Sequence, residues 1–372
     1  MPTLNLLIKP ASSLCNMRCE YCFYKDVSES RAHSSMGMMS LDTLEAVVKR
    51  AFEYATDFVG FAFQGGEPTL AGLDFYRTLI SLQRKYNTEN IKVSNSIQTN
   101  GYLIDEEWAR FFAENHFLVG LSLDGTKEAH DSLRVDAQGN GTFERVSRAA
   151  DTLQKNGAEF NILCVVNNFV ARYPKKVYDQ LKKYKYIQFI ACLDPLDGGK
   201  TRFSLSEARY ASFLKQVFTL YYEDFMRGEY VSIRNFDNYI SILLGRHPES
   251  CAMNGFCTCY CVVEGDGSVY PCDFYVLDGW KIGNVGENGF REMIDSKKAK
   301  AFVDSSLFVR DECKNCRYYK LCRGGCRRER EPFTQGLPSL NRHCNTYQEF
   351  FDSNIDRMLE MARRIRAGYA PR

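Results

Sequence analysis

The chain carries almost no excess charge. Its 48 lysines and arginines nearly balance 46 aspartates and glutamates, for a formal net charge of +2 over 372 residues, and the basic residues are scattered along it. Phosphate backbones and anionic membrane surfaces are bound by clustered positive charge, so no nucleic-acid or membrane partner is expected. Long apolar runs are missing too, and no stretch approaches the roughly 20 residues that cross a bilayer. The opening Met1-Pro-Thr-Leu-Asn-Leu-Leu-Ile-Lys9 has neither the basic start nor the apolar length of a secretion signal, which predicts a cytoplasmic protein. Low-complexity segments and internal repeats are absent. What is left is an ordinary globular composition, 45% hydrophobic, in a chain long enough for two domains.

Cysteine, by contrast, is abundant: fifteen residues in a compartment that keeps thiols reduced, where metal binding rather than disulfides explains so many. They fall into two groups. Cys15, Cys19 and Cys22 sit in the run Cys15-Asn-Met-Arg-Cys19-Glu-Tyr21-Cys22. Three thiolates at this spacing leave a four-iron cluster one ligand short, which makes an open iron site for chemistry; a zinc ion borrowing a distant ligand is the competing reading. Ten more lie between Cys251 and Cys344, too many for a single zinc. The two between the groups, Cys164 and Cys192, lie inside apolar runs and read as buried core thiols.

The first ~230 residues alternate short apolar strands with amphipathic helical stretches, the pattern of repeated βα units and a parallel sheet. Strands are expected at 4–8, 58–63, 91–98, 117–123, 160–166 and 187–192. A helix is expected from Asp42 to Tyr54, with Leu44, Val47, Val48 and Ala51 on one face and Ser40 at its cap. Six such units predict an α/β fold, an open, partial (β/α)6 TIM-like barrel, with ligands at the C-terminal ends of the strands. Polar clusters occur there: Gln64-Gly65-Gly66-Glu67-Pro68, Gln98-Thr99-Asn100-Gly101 and Ser122-Leu-Asp124-Gly125. The alternation stops near 228–232. The expected units are a barrel over 1–230, a cysteine-rich domain over 231–345, and a packing helix within 346–372. In the cysteine-rich part, Val262 to Tyr270 reads as a hairpin around Asp266-Gly267 that brings Cys257 and Cys272 together.

The N-terminal triplet, with its aromatic Tyr21, resembles the loop of the radical S-adenosylmethionine (SAM) enzymes. The resemblance implies that the methionine amino and carboxylate groups of SAM complete a 4Fe-4S cluster, and that one electron then releases a 5′-deoxyadenosyl radical. It further implies SAM contacts from Tyr21, Gly66, Glu67, Ser122, Arg134 and the backbone near Leu193, with Arg134 pairing with the carboxylate. Downstream, Cys257-x9-Gly267-x4-Cys272, Cys313-x2-Cys316-x5-Cys322-x3-Cys326 and Cys344 resemble the SPASM extension of radical SAM peptide-modifying enzymes, with Cys251 as an eighth ligand. That likeness implies two auxiliary clusters, making three 4Fe-4S clusters in all. Cys251, Cys257, Cys272 and Cys326 would hold one, and Cys313, Cys316, Cys322 and Cys344 the other. Cys259 and Cys261 stand outside the pattern, as alternative ligands or as hairpin thiols.

Nearly end to end, the chain is similar to anaerobic sulfatase-maturating enzymes, through Cys15 to Tyr24, Phe61 to Leu70, Leu118 to Gly125 and Val269 to Tyr275. The resemblance implies oxidation of a Cys or Ser side chain in an unfolded sulfatase polypeptide to Cα-formylglycine, fed by an electron donor such as ferredoxin or flavodoxin, by a monomeric enzyme. This chemistry needs a base. Asp273 is the choice, because it follows Cys272 and so stands beside an electron acceptor; Tyr24 and Gln64 are candidate substrate contacts. Two other readings remain at this point: a peptide maturase forming thioether or carbon crosslinks, and a non-enzymatic iron-sulfur electron carrier or zinc scaffold.

Overall fold

The sheet is built in sequence order. In the computed structural model, which describes residues 2–371, six strands β1 (Thr3–Ile8), β2 (Phe58–Phe63), β3 (Lys92–Thr99), β4 (Phe117–Ser122), β5 (Phe160–Val166) and β6 (Tyr186–Ala191) lie side by side, every neighbouring pair parallel. Each falls within one residue of its expected bounds. The reason is a fully buried apolar face: Leu6 and Ile8, Val59, Phe61 and Phe63, and Val119 and Leu121, each set two residues apart, are sealed from solvent, while Ala62, Leu118 and Gly120 between them line the barrel's interior. Helices cover the outside. The helix Leu41–Tyr54 starts where Ser40 Oγ accepts the Thr43 N–H at 3.1 Å, and it buries Leu44, Val47, Val48 and Ala51 as expected. Cys164 and Cys192 are core thiols.

The alternation continues slightly past its expected end. The helix Glu207–Arg227 stops at Gly228, which caps it in the left-handed region at φ +81°. A seventh strand, β7 (Ser232–Ile233), then pairs parallel to β6. At two residues it is too short to show a period in sequence. A larger departure lies at the other edge. The expected hairpin forms, β8 (Val262–Val263) against β9 (Ser268–Tyr270), with β10 (Gly283–Asn284) beside it. Its first strand pairs parallel with β1, Leu7 opposite Val262. One sheet of order β10-β9-β8-β1-β2-β3-β4-β5-β6-β7 therefore runs from the cysteine-rich part through the barrel, and it stays open between β7 and β10.

A buried ion pair reinforces that seam. Glu264, just after β8, accepts Lys9 Nζ at 2.8 Å and Arg31 Nη1 at 2.7 Å, and all three side chains are out of solvent. Removing one member of such a cluster leaves an uncompensated buried charge, at a cost of about 3–5 kcal/mol. The last helix, Cys344–Arg366, begins two residues before its expected start and packs Phe350 on Phe236 with ring centroids 5.6 Å apart. Leu359 on this helix is exposed. Among the described residues no helix is long and apolar enough to cross a membrane.

Candidate functional site

The loop after β1 and the glycine turn after β2 are pressed together. Leu14 O, one residue before Cys15, accepts the Glu67 N–H at 2.8 Å. Gly66 adopts φ +50°, and a Cβ there would collide with the same Leu14 carbonyl, so only glycine fits. The Glu67 carboxylate is consumed inside the protein. Its Oε1 accepts the Thr69 N–H (3.0 Å), Thr69 Oγ1 (2.6 Å) and Thr99 Oγ1 (2.7 Å), and its Oε2 accepts the Asn100 N–H (2.7 Å). Glu67 thus ties the end of β2 to the end of β3. Asn100 passes the link on, donating to Asn16 Oδ1 at 2.8 Å beside Cys15. Burial pushes the Cys15 thiol up to about 12 and the Cys19 thiol to about 11, Arg134 pulling against burial at Cys19. All fifteen cysteines are free.

Across the same rim lie Ser122, ending β4, and Leu193, just past β6. Arg134, which sequence alone could have left as a surface residue, is buried. Its Nη1 donates to Tyr21 Oη at 2.9 Å, and the Tyr21 hydroxyl donates in turn to Asp124. Asp124 Oδ1 accepts the Val165 N–H at 2.8 Å. Arg134 Nε is buried with no partner. A buried guanidinium with an open donor fits a bound carboxylate, as three free thiols on the loop held by a Gly-only turn fit a cluster with a vacant iron. The residues present therefore suit SAM and its cluster.

Asp273 opens the short 3-10 turn Asp273–Tyr275 after Cys272. Its Oδ2 accepts the Tyr24 hydroxyl at 2.7 Å and Gln64 Nε2 at 3.4 Å, so three residues chosen from distant parts of the sequence converge. The residue as a whole is half-buried, but Oδ1 is sealed from solvent and has no partner. Burial raises the Asp273 pKa to about 6, with Lys9 and the Tyr24 hydroxyl acting the other way. Lys9 is the residue that sequence reasoning missed. Its ammonium lies 5.1 Å from the Tyr24 ring centroid, and its stem fills the space a Cβ on Gly65 would need. A lysine directly after a buried strand was its signal. Gln64 also lines an open cavity of about 860 Å³ inside the barrel, with Gln98, Gly120, Leu163, Gln188 and Arg234. This hollow, lined by polar and apolar groups alike, has room for an extended peptide.

The downstream cysteines form two neighbourhoods. Burial raises the thiols of Cys251, Cys257, Cys272, Cys313, Cys322, Cys326 and Cys344; in the first neighbourhood Cys257 then acts on Cys251, Cys326 and Cys257 on Cys272, and Cys251 and Cys257 on Cys326. In the second, Cys316 acts on Cys313, Cys344 and Cys313 on Cys322, and Cys313 and Cys316 on Cys344. Cys326 thus keeps company with the first three, although in sequence it follows Cys322. Among the described residues no three metal-binding side chains converge as they would on one ion; a four-iron cube spreads its thiolates wider. Cys259 and Cys261 lie against each other, Sγ to Sγ 3.9 Å, and Cys261, just before β8, is buried.

Residues 10–181 match the Radical SAM superfamily, and residues 251–326 match the iron-sulfur cluster-binding domain SPASM. The fold and these matches define a radical SAM enzyme that binds SAM and 4Fe-4S clusters. Over 369 residues the chain is 50% identical to the cysteine-type anaerobic sulfatase-maturating enzyme of Clostridium novyi (strain NT), covering 98% of this chain and 99% of that one. The serine-type enzyme of Bacteroides thetaiotaomicron is 31% identical over 389 residues, covering 99% and 93%. The solved structure "Native anSMEcpe with bound AdoMet and Cp18Cys peptide" superposes with a TM-score of 0.93 at 50% identity, over 98% of this chain and all of that one. The chain belongs to the anaerobic sulfatase-maturating enzymes. Membership sets aside the electron-carrier and zinc-scaffold readings. Streptococcus suis SuiB bound to its precursor peptide, 16% identical with a TM-score of 0.63, shares the fold.

Proposed function

We propose that this enzyme oxidises a cysteine side chain in an unfolded sulfatase polypeptide to Cα-formylglycine, with Asp273 as the base. The cysteine preference rests on the 50% identity to cysteine-type relatives against 31% to the serine-type one. The observation that carries the base is the sealed, unpartnered Oδ1 of Asp273, held in place by Tyr24 and Gln64 on Oδ2. Cys15, Cys19 and Cys22 would hold the cluster with the open iron; Tyr21, Gly66, Glu67, Ser122, Arg134 and Leu193 would line SAM, Glu67 through its backbone. The two downstream quartets would hold two further clusters, giving three. When bound, these groups supply hydrogen-atom abstraction from the substrate Cβ and an acceptor for one electron.

The chain's own residues do the rest. Asp273 Oδ1 takes the thiol proton, and a carboxyl with a pKa of about 6 is largely ionised at neutral pH and still basic enough to accept it. Tyr24 and Gln64 fix the carboxylate plane, so the free oxygen keeps one direction. The barrel hollow beside Gln64 receives the peptide in an extended form. The balanced change converts the side-chain thiol and one water into an aldehyde and hydrogen sulfide, with loss of two protons and two electrons. A ferredoxin- or flavodoxin-like donor would supply the starting electron, and the enzyme would act as a monomer in the cytoplasm, where its free cysteines stay reduced. The units 1–230 and 231–345 would share one sheet, with the helix of 346–372 packed on their core.

The test is an anaerobic assay of reconstituted enzyme with SAM, a reductant and paired peptides carrying Cys or Ser in an otherwise identical sulfatase sequence. Deoxyadenosine and an aldehyde of the same mass from both, faster from Cys, are expected. A product from the Cys peptide lacking only two hydrogens, without sulfur-to-oxygen exchange, would instead mark a crosslinking maturase.

A further inference from the structure

Three arginines, Arg327, Arg328 and Arg330, follow Cys326 on a short 3-10 turn, and all three are buried. A buried guanidinium stays charged and needs a compensating partner. Arg327 has one. Its guanidinium lies 4.5 Å from the Phe302 centroid, 4.6 Å from Phe333, 4.9 Å from Tyr275 and 5.2 Å from Trp280, a cage of ring faces. Arg328 donates to Asp194 O at 2.9 Å and has Glu329 and its charge next in sequence.

Arg330 has neither. It is 5% exposed, and among the described residues it makes no ion pair and lies over no ring. Its nitrogens reach only backbone carbonyls: Phe308 O at 2.7 Å, Ser306 O at 3.4 Å and Ser339 O at 3.5 Å. The neighbouring Glu329 is taken by Asn341 at 2.9 Å. The anchors of Arg330 lead to both cysteine quartets. Ser306, whose carbonyl it grips, accepts the Cys257 N–H on its hydroxyl at 2.8 Å. Gly324, between Cys322 and Cys326, lies against the guanidinium, within 3.9 Å of a built Cβ. After burial, the groups acting on its charge include Cys313 and Cys322 from one quartet and Cys257 from the other, and Arg330 in turn favours the thiolates of Cys257 and Cys313.

We propose that Arg330 is a positioning residue whose fixed positive charge is shared by the two auxiliary clusters and raises the reduction potential of both. The inference rests on the assignment of the eight thiolates to two clusters. A cube held by four thiolates is a buried anion, and each added electron makes it more negative. A cation between two such cubes stabilises the reduced state of each and supplies the countercharge that the polypeptide withholds from Arg330.

The experiment uses the full chain with Cys15, Cys19 and Cys22 all changed to alanine, so that only the auxiliary clusters report. Arg330→Met, Arg330→Gln and Arg330→Lys are made in this background, iron and sulfide are counted, and midpoint potentials are read from anaerobic titrations followed by electron paramagnetic resonance. Arg330→Met and Arg330→Gln should keep their iron and lower both potentials, cutting the reduced-to-oxidised ratio at a fixed potential about tenfold, or about 59 mV per electron. Arg330→Lys should stay near the parent. Unchanged potentials, a shift in one cluster alone, or loss of iron from both neutral variants would overturn the proposal. Fewer than about eight auxiliary irons in the parent would instead overturn the ligand assignment on which it stands.

Discussion

Tyr24 donates its hydroxyl to Asp273 Oδ2 at 2.7 Å across 249 positions of sequence, joining the loop of the first cysteine triplet to the hairpin of the auxiliary region. This bond leaves Oδ1 as the carboxylate's free acceptor. Asp273→Asn removes the base without changing its shape, so product formation should fall about 10²–10⁴-fold while iron content holds. Tyr24→Phe unpins the carboxylate and should cost about tenfold, with Gln64 as the remaining anchor. Single-turnover aldehyde yield measures both.

Gly66→Ala should separate the clusters. The added Cβ meets the Leu14 carbonyl, and the backbone is already in the left-handed region, so the turn must retreat from the loop that bears Cys15. Reconstituted protein should lose about four irons per chain and its spectroscopic response to SAM, and keep the auxiliary iron. Full iron with normal SAM cleavage would show that the turn can shift without consequence.

Arg134→Met should weaken SAM binding by about 10–100-fold in equilibrium binding, the cost of one charge-assisted pair. Its Nε is unpartnered within the protein, and the proposed SAM carboxylate would supply the acceptor. Arg134→Lys should recover part of the loss, because an ammonium keeps the charge but not the planar fork.

Acid should loosen the seam between the barrel and the cysteine-rich part. Burial pushes the Glu264 pKa up, but Lys9, Ser12 and Arg31 outweigh it and the net direction is down. A carboxylate lowered by folding adds stability above its unfolded pKa, about 4.3, and loses that contribution as pH falls through the folded value. Glu264→Gln should therefore unfold more easily at pH 7, by about 3–5 kcal/mol in urea titrations. The gap to the parent should narrow below about pH 4; a constant gap would exclude ionisation as its source.

Much of this arrangement was readable from sequence because its signals are local. A strand is a short apolar run bounded by polar residues, so the strand spanning Phe58–Phe63 declared itself; close cysteine spacing marked the two groups, while their division into quartets was only what the family resemblance implied. Asp273 was readable through its neighbour Cys272. Lys9 and Arg31 were not, because their partner Glu264 lies more than 230 positions away and nothing near either residue marks a buried pair. The arginines after Cys326 carry no signal of burial in sequence, and only the fold shows three of them inside. The join of β1 to β8 was invisible for the same reason as β7, since two-residue strands carry no period.

That join has a practical consequence for anyone dissecting the enzyme. A fragment ending near residue 230 would strip β1 of the neighbour that completes its ladder on that side, leaving bare amide and carbonyl groups as a template for sticking to other chains. The radical-generating half is thus no detachable cassette. A chimaera that exchanges the auxiliary region must bring in a hairpin that pairs with β1 and carries a carboxylate at the Glu264 position for the resident Lys9 and Arg31, or it will start life with an open wound along its first strand.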